Sequence, residues 1–230
     1  MFRAMSKKSS MLSYCLKIVI IASALIGTFL SAYAGRNSFM GGSRVFMYFT
    51  IQSNIAIAII SCIGFCYMLN KRLRGNVWPV IKLVGTVAIT LTGVVFCFVL
   101  APTLGANAWN IQNVLTHVVV PVASVVDFFV VSPTFELRYK NVWYVIIPPI
   151  LYAIYAGIGY VAGWEFAEGI NYPYFFLNWG SPAGAFGFSN ELPFMGSAWW
   201  ILALLCFLLL VGCCYVALSH CIQKLSKKSA

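Results

Sequence analysis

The sequence predicts an all-α polytopic membrane protein, a bundle of six transmembrane helices with both termini in the cytoplasm. Composition is the first reason. Of 230 residues, 61% are hydrophobic and only 9% charged, against roughly 25% charged in a soluble domain, so the chain cannot cover itself with a hydrated surface. Second, six apolar runs at 18–34, 46–69, 80–101, 111–131, 142–162 and 198–218 are long enough to cross a bilayer, since about 20 helical residues span a ~30 Å hydrocarbon core. Their apolar character is continuous rather than alternating, which excludes barrel strands. Third, the basic residues gather at alternate junctions. Thirteen of the 15 (Arg3, Lys7, Lys8, Lys17, Lys71, Arg72, Arg74, Lys82, Arg138, Lys140, Lys224, Lys227 and Lys228) fall on one side, leaving Arg36 and Arg44 on the other. The positive-inside rule assigns the crowded side to the cytoplasm. A net charge of +10 is therefore a topology signal rather than a nucleic-acid footprint, with anionic headgroups as a second attraction.

The first run, 18–34, follows a basic stretch and ends on Ala32-Tyr33-Ala34. That combination resembles a signal peptide with its small-residue cleavage site, whose removal would leave five spans and an external N-terminus. The run is long for a signal, and six spans with both ends inside satisfy the charges, so a retained first helix is the expectation. In the second run, 46–69, Thr50, Ser53, Asn54 and Ser61 share one helical face. The third, 80–101, carries a stripe of Lys82, Thr86, Thr90 and Gly93.

The fourth run, 111–131, is the most informative. Asn110, Asn113, His117 and Ser124 lie close to one face, and an imidazole in hydrocarbon persists only where it has a partner or a task. Pro121 cannot donate to the His117 carbonyl, which predicts a kink beside the ring. If both runs enter from outside, Thr50 lies about 6 Å and His117 about 9 Å below the outer edge, at 1.5 Å per residue. The two residues are therefore at matching depth. Asp127 is the only carboxylate in any run. Its depth matches that of Lys82 and predicts a structural ion pair, with a proton relay to His117 as the alternative. The bland reading of the hydroxyl stripes is helix glue at about 0.6 kcal/mol per contact.

The fifth run, 142–162, leads into an external loop at 163–197 that holds Glu165, Glu168 and Glu191 among aromatics and a Gly/Pro-rich stretch. Loops of this length tend to be lids or binding loops, and an interfacial aromatic cap is the other reading. The sixth run, 198–218, ends in basic residues. The eight cysteines lie in or near the spans and outside the large loop, which argues against a disulfide framework. They are expected as small packing residues rather than metal ligands, with Cys221 a candidate for acylation. No metal and no soluble cofactor are expected, and the whole chain, 1–230, reads as one transmembrane domain.

At these residues the chain resembles a known family. Arg44-Val-Phe-Met-Tyr-Phe-Thr50-Ile-Gln-Ser-Asn54 is similar to the segment carrying the proposed nucleophilic threonine of the androgen-induced integral membrane proteins. Those are fatty-acid-hydroxy-fatty-acid ester hydrolases with shorter six-span prokaryotic relatives. Asn113-Val-Leu-Thr-His117, with Pro121 and Asp127 following, resembles the family's histidine segment. Tyr172-Pro173-Tyr174-Phe175-Phe176-Leu177 resembles its Tyr-Pro motif, with Asn178 where many prokaryotic relatives are expected to carry an acid.

The resemblance implies an intramembrane lipid ester hydrolase in the plasma (inner) membrane. Thr50 would be nucleophile and His117 base, on esters that enter sideways from the bilayer. Asn54 would donate to the oxyanion, Asn113 or a backbone carbonyl would orient the ring, and Arg44 would hold a substrate carboxylate. The other classes that fit are a proton-linked transporter or channel using His117 and Asp127, disfavoured by the lack of an inverted repeat, and a non-enzymatic lipid-binding protein.

Overall fold

The computed structural model describes residues 6–36, 42–70, 75, 77–134 and 136–228. Arg3, Lys71, Arg72 and Arg74 lie outside them. Six helices are long and apolar enough to cross a membrane: α1 (Lys7–Gly35), α2 (Phe49–Leu69), α3 (Val77–Leu104), α4 (Ile111–Val131), α5 (Tyr139–Val161) and α6 (Ser197–Lys228). The protein is thus an integral multi-pass membrane protein. Several helices outrun their apolar runs. α1 starts at Lys7, where the Ser6 hydroxyl caps the Ser9 N–H, and α6 continues through its basic tail.

α1 to α4 form the inner bundle. α1 turns Ser13, Lys17, Ile20, Ala24 and Gly27 inward, alternating steps of four and three that make one helical face. Gly27 allows a close approach to α4, because a Cβ there would lie 2.7 Å from the Thr116 methyl. Ile20, Ala24, Ile57, Ala58, Ile89, Val120 and Ala123 fill the middle of this bundle. Towards the end that carries the termini, α5 and α6 join through Leu83, Val87, Phe128, Val145, Leu208 and Val216. The eight cysteines are free. Seven are exposed and Cys97 is partly buried, and among the described residues no three His, Cys, Asp or Glu side chains gather as metal ligands.

Two helices contain wide, π-type turns. In α3 the turn is Phe96–Leu100, with the Ala101 N–H donating to Phe96 O. In α4 it is Leu115–Val119, with the Val120 N–H donating to Leu115 O. A proline follows each, Pro102 and Pro121. Proline lacks the donor that an α-helix needs, and around Pro121 the chain answers with a widened turn where the sequence suggested a kink. Such turns concentrate at functional sites.

The long loop is folded. It packs Phe166, Phe176 and Leu177 onto Tyr152 and Ala156 of α5. Its far end is tied to the start of α6 by the Trp200 indole, which donates to Pro193 O at 2.9 Å.

Candidate active site

Thr50 is the second residue of α2, where backbone N–H groups have no partner within the helix. Tyr48 occupies the N-cap position but supplies no side-chain cap. The cap comes instead from the loop. The Tyr174 hydroxyl accepts the Thr50 N–H at 3.3 Å and lies 3.4 Å from the Thr50 hydroxyl. Tyr174 is held among Tyr48, Tyr152 and Phe176, with ring centroids 5.7, 6.2 and 5.1 Å away. Burial pushes its phenol above the ordinary value, and burial together with Tyr174 does the same for Tyr48. Both therefore stay protonated at neutral pH and act as hydrogen-bonding groups.

Thr50 also lines a mostly apolar cavity of about 60 Å³ with Phe49, Thr92, Tyr152, Tyr174 and Leu204. Typical ligand pockets hold roughly 300–1,000 Å³, so this one is too small to enclose a whole drug-sized molecule. Arg44 does not stand on the helix above Thr50. It belongs to a separate 3-10 turn, Gly42–Met47, and its guanidinium pairs with Glu165 of the loop at 2.7 Å.

Asn54 is fully buried and joins two helices. Its amide nitrogen donates to Thr50 O at 2.8 Å and to Thr116 O at 3.1 Å. Both amide hydrogens are thereby used, so Asn54 is not the oxyanion donor the sequence suggested. Its role is to hold the Thr50 turn against the turn before His117. Reversing the amide would set its oxygen against two carbonyls, which fixes the assignment. Beside it, Ser53 and Thr92 share a hydrogen bond of 2.8 Å between α2 and α3.

His117 sits in the widened turn of α4 and stacks on Phe96, the first residue of the widened turn in α3, with centroids 3.8 Å apart. Its Nδ1 lies 3.1 Å from Asn113 O and 3.0 Å from the Thr116 hydroxyl. The Thr116 hydrogen is committed to Gln112 O at 2.8 Å. Both neighbours of Nδ1 are therefore acceptors. In the neutral ring the proton rests on Nδ1, leaving a lone pair on Nε2. Orientation comes from the Asn113 carbonyl. The Asn113 amide points elsewhere, to Ala108 O at 2.9 Å. No hydrogen bond joins Thr50 to His117 among the described residues; the link runs through Asn54 and the Thr116 carbonyl.

Near the end that carries the termini lies a buried ionic cluster. Lys82 contacts Asp127 at 2.6 Å, which is the pair the sequence suggested. Lys17, counted among the flanking charges, joins at 2.7 and 2.9 Å, and the Ser13 hydroxyl donates to the same carboxylate at 2.6 Å. His117 is not part of this cluster.

Sequence reasoning missed three groups: Lys17, Phe96 and the hydroxyl of Tyr174. Lys17 had a usable signal, its i+4 spacing from Ser13 and i+7 spacing to the small residue Ala24. Phe96 had none beyond the nearby proline. No family model, curated protein or solved structure matches the chain.

Proposed function

We propose that the protein is an intramembrane lipid ester hydrolase acting on fatty-acid esters of hydroxy fatty acids or similar lipids. Both termini would face the cytoplasm, in the plasma (inner) membrane. One observation carries this reading. Thr50 opens into an apolar cavity beside the Tyr174 phenol, which caps its N–H, while Asn54 ties its turn to that of His117.

The ester carbonyl carbon enters from the bilayer side and meets the Thr50 hydroxyl. His117 Nε2 takes the hydroxyl proton, directly or through one water, as the threonine oxygen bonds to the carbonyl carbon. The oxyanion is held by the Tyr174 phenol, whose oxygen accepts the Thr50 N–H and whose hydrogen turns from the Thr50 hydroxyl to the developing charge, taking the donor role first given to Asn54. Collapse releases the hydroxy-acid oxygen, which receives the proton from His117. Water, deprotonated by the same ring, then hydrolyses the acyl-threonine to the free acid and restores Thr50. Among the described residues no carboxylate pairs with the ring as in a full triad, and the Asn113 carbonyl fixes the tautomer instead.

Purified protein in lipid nanodiscs is expected to hydrolyse such an ester, with activity lost in Thr50→Ala and in His117→Ala and partly kept in Thr50→Ser. Full turnover in either alanine variant with the fold intact refutes the mechanism. A proton-linked transporter draws on the buried Lys17–Asp127–Lys82 cluster and predicts pH-driven flux in proteoliposomes without acyl transfer. Against that reading, Asp127 already accepts hydrogen bonds on both oxygens.

A further inference from the structure

A second, larger space lies outside the Thr50 cavity. It is a groove of about 890 Å³ between α2, α3 and α5, open sideways and bordered by Ala56, Ile60, Val84, Ile147 and Leu151. Phe49 and Tyr152 belong to both spaces, and the two rings pack edge to face at 5.3 Å. They form the wall between groove and cavity.

Four polar side chains of the groove are already partnered within the protein. Ser53 bonds Thr92 and Thr50 O, the Tyr152 hydroxyl donates to Met47 O, Gln52 donates to Phe46 O, and the Asn141 amide oxygen accepts the Arg138 N–H. Apart from the phenols of Tyr144 and Tyr155 the remaining lining is hydrocarbon, so the groove suits a mainly apolar guest.

Its floor decides the shape of that guest. Ser53, Ala88 and Tyr152 line it yet are only 6%, 7% and 7% exposed. A helix about 10–12 Å across cannot reach such a crevice, whereas a methylene chain can. Along α3 the lining runs from Val77 to Ala88, about 16 Å at 1.5 Å per residue.

We propose that this groove binds one fatty acyl chain, lying along α3 with its carboxyl end at the Phe49–Tyr152 wall. Rotation of those rings would admit the end of the chain to Thr50. The proposal deepens the hydrolase reading by giving the acyl arm of the ester a seat, and it is tested by binding rather than by turnover.

Protein in nanodiscs is incubated with palmitic acid bearing a tail diazirine, irradiated and mapped by mass spectrometry. Adducts are expected at Ile81, Val84 and Leu151, both in the unaltered protein and in Thr50→Ala. Ala56→Phe fills the groove from an exposed position and is expected to weaken labelling about tenfold, the loss expected when about two methylenes are displaced. Leu151→Trp serves the same purpose from the facing helix. Adducts spread evenly over lipid-facing positions such as Leu25 and Val122 would overturn the proposal. So would undiminished labelling in both filled variants, or Ala56→Cys joining two copies of the chain through this face in place of labelling. Labelling that persists without any ester hydrolysis would leave the groove standing and remove the hydrolase reading alone.

Discussion

Replacing Asp127 by Asn is expected to be the most damaging single change in the ionic cluster, far worse than removing either lysine. One carboxylate, 0% exposed, holds two ammonium groups and a hydroxyl at 2.6 to 2.9 Å. Removing one member of a buried pair costs about 3–5 kcal/mol, because the other charge stays buried and uncompensated. Asp127→Asn leaves two such charges, so its cost lies at or above that range. Lys82→Met removes one cation, and the remaining pair keeps both Lys17 contacts and the Ser13 bond. The cluster has two ammonium groups on one carboxylate, so this change leaves a balanced pair with no charge uncompensated, and a change within about 1 kcal/mol is expected. At roughly 2–4 °C per kcal/mol for a chain of this size, Asp127→Asn should lower the melting temperature by about 6–20 °C and Lys82→Met by less than about 4 °C. Adding Lys82→Met to Asp127→Asn removes one stranded charge and should recover part of the loss. The assay is thermal unfolding in one detergent at a fixed scan rate, since irreversible melting depends on rate. Equal losses in Asp127→Asn and Lys82→Met would refute the charge-balance argument.

Tyr174→Phe keeps the ring packing but strands the Thr50 N–H. It should cost about 1 kcal/mol of stability and, as a lost oxyanion donor, about 10²–10³ in kcat, read by steady-state ester hydrolysis. Gly93→Ala puts a Cβ 2.9 Å from His117 O and 3.1 Å from the Pro121 side chain. The backbone cannot yield easily, so a loss of about 1–3 kcal/mol with reduced turnover is expected; unchanged melting and activity would show that α3 and α4 can separate there. Glu165→Gln frees Arg44 from a pair at least a third exposed on each side. Such pairs are worth about 0–1 kcal/mol, so KM for an ester with a free carboxylate should fall by no more than about fivefold, with kcat unchanged.

Much of the site is visible in the chain as separate pieces. The face of α2 with Thr50, Ser53 and Asn54, and that of α4 with Asn113 and His117, follow from helical period alone. Partnership does not follow from period. Both hydrogens of Asn54 go to carbonyls, one of them 62 residues away, and a sequence does not show which backbone oxygens a buried amide will meet. The Thr50 cap arrives from a tyrosine 124 residues distant, because the loop folds over the start of α2. Arg44 sits on a turn before α2 and meets Glu165 across 121 residues, a pairing that local spacing does not show.

Membrane habitat, the helical spans and the presence of an imidazole and a carboxylate in hydrocarbon are all legible along the chain. Those features depend on local hydropathy and on backbone hydrogen bonding that each segment must satisfy alone. Packing between helices is what draws Lys17 from the flanking charges to Asp127, sets Tyr174 over Thr50 and stacks Phe96 on His117. Each depends on which faces of separate helices meet. Matching depth is legible along one helix; the rotation that brings two faces together is set by packing among all of them.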